Sequence, residues 1–263
     1  MNIVLFDMDG TLTEARKKIS DDMVTSLCAL SNHARIGILT GSGIDYVVDQ
    51  VGDLFETIID AYAFPCNGTQ VWTNMYGNLK KHHEATMIEE IGAESFYKLC
   101  RLLIIEHERI VSQNPDMPLT GNFIDNRVST LNFCPPGRGC NVEQRNKFVE
   151  LDNKRGIRLK SYQVLQGLLN KFGLKDSVDI SLGGNTSIDV YPRGWDKTYV
   201  MRHFTPSDKF DKVFFVGDRC DEGGNDKAIY DLLQPEGRSF KTTSPENTIE
   251  IIHNQIIPAL EGL

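Results

Sequence analysis

"NIVLFDMDGTLT", residues 2–13, sets four apolar residues, Ile3 to Phe6, directly before two aspartates one residue apart and a Gly-Thr pair. The apolar run reads as a buried strand of a parallel sheet. Asp7 and Asp9 then emerge at its C-terminal end, the edge at which open α/β sheets place their ligands. Gly10 lets the backbone turn back around that edge. Like charges this close raise each other's cost of ionisation. A hard divalent cation such as Mg²⁺, held by carboxylate and backbone carbonyl oxygens, offsets that cost. The stretch therefore predicts a metal-dependent site at a strand end.

The same rhythm recurs along the chain. Residues 20–32 read as an amphipathic helix opening at Ser20, and "RIGIL" at 35–39 as a second buried strand followed by "TGSG". After the hairpin-like "TQVWTNMYGNLK" (69–80) come longer helical patterns at about 87–108 and 141–171, around the strand candidates "GNFIDN" and "STLNFCP". From "SIDVYP" (187–192) the alternation returns: "KVFFVGD" is a strand ending in Asp218, and "NDKAIYDLL" is a helix. The predicted fold class is α/β, a Rossmann-like core with a parallel sheet from residues 1–82 and 186–263, plus an inserted α+β domain at 83–185.

Composition is that of an ordinary globular protein. A net charge of −8 and a pI near 5.3 argue against a general nucleic-acid or anionic-membrane surface. The N-terminal apolar run is too short for a signal peptide or a span, so a free cytoplasmic protein is expected. Six cysteines without a CxxC pair predict reduced structural thiols. Residues 83–185 contain 13 acids and 13 bases, which leaves the acidic excess outside the insert. Arg127, Arg138 and Arg145 fall there in a stretch with few acids, beside Gly- and Pro-rich turns. They read either as a solvated basic face or as a bidentate grip on an anionic ligand.

Other residues supply the parts of a phosphoryl-transfer site working through an aspartyl-phosphate. Asp218 is the expected third metal ligand, Lys197 in "GWDKT" brings a compact positive charge near a helix start, and Thr40 and Ser42 in "TGSG" offer hydroxyls just past a strand. Asp226 in "GGND" reads equally as a cap of the following helix or as a member of the site. Asp221 and Glu222 read as a solvated loop, Trp195 as packing beside Lys197, and His82, His83 and His203 as structural or exposed, lacking ligand spacing.

"DMDGT", "TGS", "DK" and "GD…ND", in this order, resemble the haloacid dehalogenase (HAD) superfamily of phosphotransferases. "DMDGTLTEARKKI", "FIDNRVSTLNFCPPGRGC", "GGNTSIDVYPRGWDKTYVMRH" and "FFVGDRCDEGGND" are similar to stretches of its eukaryotic-type phosphomannomutase family, across nearly the whole chain. The resemblance implies a HAD core with the insert as a cap domain that sets substrate specificity. It implies Asp7 as nucleophile and Asp9 as acid/base, with Mg²⁺ held by Asp7, the Asp9 carbonyl and Asp218. Ser42 and Lys197 would bind the transferring phosphoryl group, and Arg16, Arg127, Arg138, Arg145, Ser187 and Asp189 the sugar phosphate. It further implies a hexose 1,6-bisphosphate activator, a role in mannose metabolism toward GDP-mannose, and a homodimer through the caps. The expected reaction interconverts mannose 6-phosphate and mannose 1-phosphate, and the alternative is a Mg²⁺-dependent phosphosugar phosphatase. The chain departs from the family in having Thr40-Gly41-Ser42-Gly43 for Gly-Gly-Ser-Asp, and Cys66-Asn67-Gly68 for Glu-Asn-Gly. Both changes lie near the expected rim, where water must be kept from the aspartyl-phosphate.

Overall fold

The computed structural model describes residues 1–75, 78–204 and 210–262, so residues 76–77 of the expected hairpin lie outside the described residues. Among the described residues the strands are β1 (Asn2–Phe6), β2 (Ala34–Leu39), β3 (Tyr62–Phe64), β4 (Gln70–Met75), β5 (Asn78–Glu84), β6 (Ile124–Asn126), β7 (Leu131–Phe133), β8 (Val178–Gly183), β9 (Ser187–Pro192), β10 (Val213–Gly217) and β11 (Ser239–Lys241). The chain divides into two compact units, Met1–Glu84 with Trp195–Leu263, and Ala85–Gly194.

In the first unit the sheet order is β11-β10-β1-β2-β3-β4-β5. The strands from β11 to β3 pair in parallel, and β4 and β5 turn back antiparallel. β1 lies between β10 and β2, and Ile3 to Phe6 are fully buried, which is why its sequence is continuously apolar rather than alternating. Its side chains sort by strand period: Val4 and Phe6 join a core with Met23, Leu27, Val47 and Val51, while Ile3 and Leu5 join Phe64, Val200 and Phe215 on the other face. α1 (Asp21–Ser31) begins where Ser20 accepts a hydrogen bond from the Met23 amide at 3.3 Å, with Asp21 and Asp22 in the first turn. α2 (Ile44–Thr57) follows β2 and buries Val47, Val51 and Leu54.

The second unit has a four-stranded antiparallel sheet, order β6-β7-β9-β8. With it are α3 (Met87–Ile91), α4 (Ala93–Gln113), α5 (Val142–Arg155) and α6 (Ile157–Lys171), and their core gathers Leu99, Leu103, Leu131, Phe133, Phe148, Ile188 and Val190. The register aligns Asp125, Asn132, Asp189 and Ser181 in one row across the four strands, on the face opposite to those apolar residues.

Two expectations change. Each long helical pattern is two helices, divided at Gly92 (φ 79°) and Gly156 (φ 65°), because a glycine entering positive φ ends a helix that composition alone would carry through. The boundary also moves: residues 186–194, expected in the core, belong to the second unit, since β9 pairs with β7 and β8. A strand's own pattern does not say which sheet it joins. Ser187 and Asp189 are therefore second-unit residues.

Candidate active site

The loop after β1 is tightly wound. The Asp7 amide donates to the Val216 carbonyl of β10 at 2.9 Å, and the amides of Thr11, Leu12 and Thr13 all converge on the Met8 carbonyl. Gly10 has φ 88°, and a Cβ there would lie 2.5 Å from Asp218 Oδ2, so the loop's closeness to Asp218 requires glycine. Asp218 itself directly follows β10, the neighbour of β1.

Lys197 opens the 3₁₀ segment Lys197–His203, where the Asp196 carboxylate accepts the Thr198 amide at 2.8 Å. The lysine is wholly buried, and its ammonium donates to Asp7 Oδ1 and, at 2.5 Å, to Asp226 Oδ1. Asp226 is equally buried, and its Oδ2 accepts the Arg219 amide at 3.0 Å. It stands at the start of α7 (Lys227–Leu233), yet its side chain makes no capping hydrogen bond. Of the two readings open from the sequence, membership of the site is the one its contacts support.

Asp7, Asp218 and Asp226 bring carboxylate oxygens within 4.8 Å of one another. Three acids then face one ammonium. Burial first, then the Asp226 charge, push the Asp7 carboxyl up from 3.8 to about 7, with Lys197 pulling the other way. Burial and Asp226 raise Asp218 as well. Burial works against the Lys197 ammonium, but Asp226 and Asp7 outweigh it and raise its pKa. Asp218 Oδ1 is buried with no hydrogen-bond partner among the described residues. A hard-oxygen cluster with excess negative charge and an orphaned carboxylate oxygen fits a small divalent cation such as Mg²⁺.

Asp9 stands apart from that buried set. Its Oδ1 accepts the Arg16 amide at 3.1 Å, Arg16 holding the left-handed φ of 66°, and both its oxygens lie 3.3 Å from the Tyr46 hydroxyl. Thr40 Oγ1 accepts the Ser42 amide at 3.2 Å. The Thr40 and Ser42 carbonyls accept the Asn67 and Cys66 amides at 2.8 and 2.9 Å, which knits the loop after β2 to the loop after β3. That second loop has positive φ at Cys66, Asn67 and Gly68, and a Cβ on Gly68 would lie 2.9 Å from Val200 Cα, so it packs against the lysine-bearing segment. Trp195 is buried, its ring edge-on to Tyr199 at 5.1 Å, and its carbonyl accepts Asn67 Nδ2, which is the packing role expected of it. His203 contacts the Gly68 carbonyl at 2.7 Å. Asp221 and Glu222 pair with Lys241 and Lys227 on the surface.

The remaining candidates lie in the second unit. Arg127, in the β6–β7 turn, donates from Nε to Asp125 at 3.2 Å. Arg138 is exposed in a loop whose backbone donates to Asn122, and Arg145 sits in the first turns of α5, behind the Asn141–Gln144 capping box. Ser187 Oγ donates to the Gly183 carbonyl at 3.2 Å, and Asp189 Oδ1 accepts Asn132 Nδ2 at 2.6 Å. The first unit thus gathers Asp7, Lys197, Asp218 and Asp226, with Asp9 and Arg16 alongside, and Asp189 shares its sheet face with Asn132. Sequence reasoning passed over Tyr46 and Asn132: one is an aromatic on a helix and the other a polar residue in a short strand, and neither carries a local signal.

Residues 23–258 match a family described as eukaryotic phosphomannomutase. A phosphomannomutase of Encephalitozoon cuniculi is 39% identical over 248 residues, covering 94% of this chain and 90% of that protein. That of Schizosaccharomyces pombe is 35% identical over 250 residues, covering 94% and 91%. Among solved structures, a Plasmodium falciparum IMP-nucleotidase superposes with a TM-score of 0.66 at 11% identity, covering 97% of this chain and 70% of its own. An Aspergillus fumigatus trehalose-6-phosphate phosphatase superposes with a TM-score of 0.51 at 15% identity, covering 100% and 93%. At such identities the structural likeness speaks for the α/β fold alone.

Proposed function

The chain belongs to the eukaryotic phosphomannomutase family, and from that premise we propose that it interconverts mannose 6-phosphate and mannose 1-phosphate through an aspartyl-phosphate on Asp7 and a hexose bisphosphate. The observation that carries the mechanism is the buried Asp7–Lys197–Asp226 cluster at the end of β1, with Asp9 outside it on the same loop.

Phosphorylated Asp7 donates first: the free hydroxyl of the sugar monophosphate attacks its phosphorus, the new P–O bond to the sugar forming as the Asp–O–P bond breaks, which yields the hexose bisphosphate. Asp9 takes the proton from the attacking hydroxyl. Lys197 and Ser42 hold the phosphoryl oxygens, and Asp226 fixes Lys197 in place. Asp7, the Asp9 carbonyl and Asp218 would hold Mg²⁺, which supplies charge neutralisation for the transferring group. In the second half-reaction a carboxylate oxygen of Asp7 attacks the phosphate at the other end of the bisphosphate, the Asp–O–P bond forming again as the P–O bond to the sugar breaks, and Asp9 gives the proton to the departing sugar oxygen. Arg127, Arg138 and Arg145 grip the phosphate that is not reacting, with Arg16, Ser187 and Asp189 on the sugar phosphate and its hydroxyls. A hexose 1,6-bisphosphate primes the cycle by phosphorylating Asp7. The protein works in the cytoplasm as a homodimer through its caps, feeding mannose 1-phosphate toward GDP-mannose. Among the described residues no helix is long and apolar enough to cross a membrane.

The test follows mannose 1-phosphate by phosphorus NMR with Mg²⁺, with and without glucose 1,6-bisphosphate. Conversion to mannose 6-phosphate supports the reading, and free phosphate without isomerisation would replace it with the phosphatase.

A further inference from the structure

Tyr46 and Gln50 lie one turn apart on α2 and so share a helix face. The Tyr46 hydroxyl is 3.3 Å from Asp9 Oδ1 and 3.3 Å from Asp9 Oδ2. Gln50, 2% exposed, accepts the Thr13 hydroxyl on Oε1 at 2.9 Å, while its Nε2 has no hydrogen-bond partner among the described residues. Thr13 belongs to the loop that carries Asp9 and forms a backbone bridge with it. Two side chains on one face of α2, Tyr46 and Gln50, thus both reach the loop that carries Asp9. A carboxylate accepts only, so the Tyr46 oxygen is the donor in this contact. Burial and the Asp9 charge both raise the Tyr46 pKa above its usual 10, which keeps the proton on the phenol.

We propose that Tyr46 is a positioning residue for the acid/base Asp9, holding its carboxylate by O–H donation, while Gln50, one turn on, ties the same helix to Thr13 of the Asp9 loop. This rests on the assignment of Asp9 as acid/base given above. Such a partner serves both directions of proton transfer. Asp9 must present a protonated oxygen to the sugar and become a carboxylate as the proton leaves. A donor fixed to the carboxylate directs the acid proton outward and stabilises the charge that develops. The Arg16 amide, 3.1 Å from Oδ1, supplies a second fixed donor. In the reverse step the same donors keep the ionised Asp9 aimed at the acceptor hydroxyl. Catalytic hydrogen bonds are often long in an unliganded enzyme and tighten on substrate, so contacts of 3.3 Å suit this role.

The experiment is a cycle of Tyr46→Phe, Asp9→Asn and the double variant, assayed for turnover of mannose 1-phosphate as isomerisation plus phosphate release, with thermal melts of each protein. Removing a hydrogen bond to a charged group predicts a loss of roughly tenfold to a hundredfold in kcat for Tyr46→Phe alone, with KM changed little. In the Asp9→Asn background the same change should cost less than about twofold. An equal loss in both backgrounds, or wild-type kcat in Tyr46→Phe, overturns the inference. Asp9→Asn alone tests the premise separately, because wild-type turnover there removes the acid/base assignment itself. Gln50→Leu provides the second arm: it leaves the phenol present but cuts the side-chain bond from α2 to Thr13, and an effect intermediate between wild type and Tyr46→Phe supports the inference, whereas a kcat loss larger than that of Tyr46→Phe overturns it.

Discussion

Replacing Asp226 by Ala tests the central cluster, because that residue was legible in two ways. Lys197 and Asp226 are both fully buried and 2.5 Å apart, and the Arg219 amide also depends on Asp226 Oδ2 at 3.0 Å. Breaking a buried ion pair by removing one partner costs about 3–5 kcal/mol. Lys197 keeps Asp7 as a second partner, which reduces the loss, while the Arg219 amide loses its acceptor, which adds about 1–3 kcal/mol. The expected destabilisation is therefore about 3–5 kcal/mol, or roughly 6–20 °C in Tm for a protein of this size. A helix cap would lose only about 1 kcal/mol, and serine would restore it. The assay is urea unfolding and calorimetry of wild type, Asp226→Ala and Asp226→Ser, with turnover measured alongside. A loss near 1 kcal/mol that serine rescues, with activity intact, would return Asp226 to the capping role and refute the cluster as drawn.

Asp7→Asn removes the attacking charge but keeps the shape, so turnover should fall by several orders of magnitude with the melt unchanged or raised, and no phosphoprotein should appear by mass spectrometry. Because Asp7 holds its proton up to about 7 in the metal-free protein, against 3.8 when unfolded, its share of stability falls as pH rises between those values. Mg²⁺ needs the ionised form, so its binding should release protons at pH 6 and few at pH 9, and its affinity should weaken below about 7. Titration calorimetry in buffers of different ionisation enthalpy reads this directly, and pH-independent release would contradict it. Arg138→Ala should cut kcat/KM for sugar phosphates by about 10- to 100-fold while changing hydrolysis of acetyl phosphate little. Parallel losses on both substrates would give Arg138 a structural role instead.

Local patterns carried far in some places and stopped in others for physical reasons. The apolar run at residues 2–6 sets the central parallel strand, because a strand buried on both faces cannot alternate, and the acids that follow it mark the sheet edge. Charge next to strand and helix ends singles out Lys197 and Asp218, and the fold brings both beside Asp7. By contrast, "SIDVYP" looks the same whether it joins the parallel or the antiparallel sheet, and pairing with β7 and β8 decides it. The breaks at Gly92 and Gly156 depend on a backbone choice that glycine permits but does not compel. Tyr46 meets Asp9 across 37 residues, a contact that only the completed packing of α2 against the β1 loop creates.

The position of β1 in its sheet has a consequence for synthesis. Its partner β2 lies within the next few dozen residues, but its other partner, β10, begins at Val213, after the whole second unit has been made. As the chain leaves the ribosome, Ala85–Gly194 is a continuous segment with its own core and can close on itself, while β1 waits with one edge unpaired. An unpaired apolar edge is open to wrong pairing, and here it stays open while more than a hundred further residues are made. The same delay keeps Asp7 without Lys197, Asp218 and Asp226 until the last third of the chain arrives. The buried cluster is thus assembled only once Asp226 has been made, and a chain truncated before Trp195 carries its two leading aspartates without Lys197, Asp218 or Asp226.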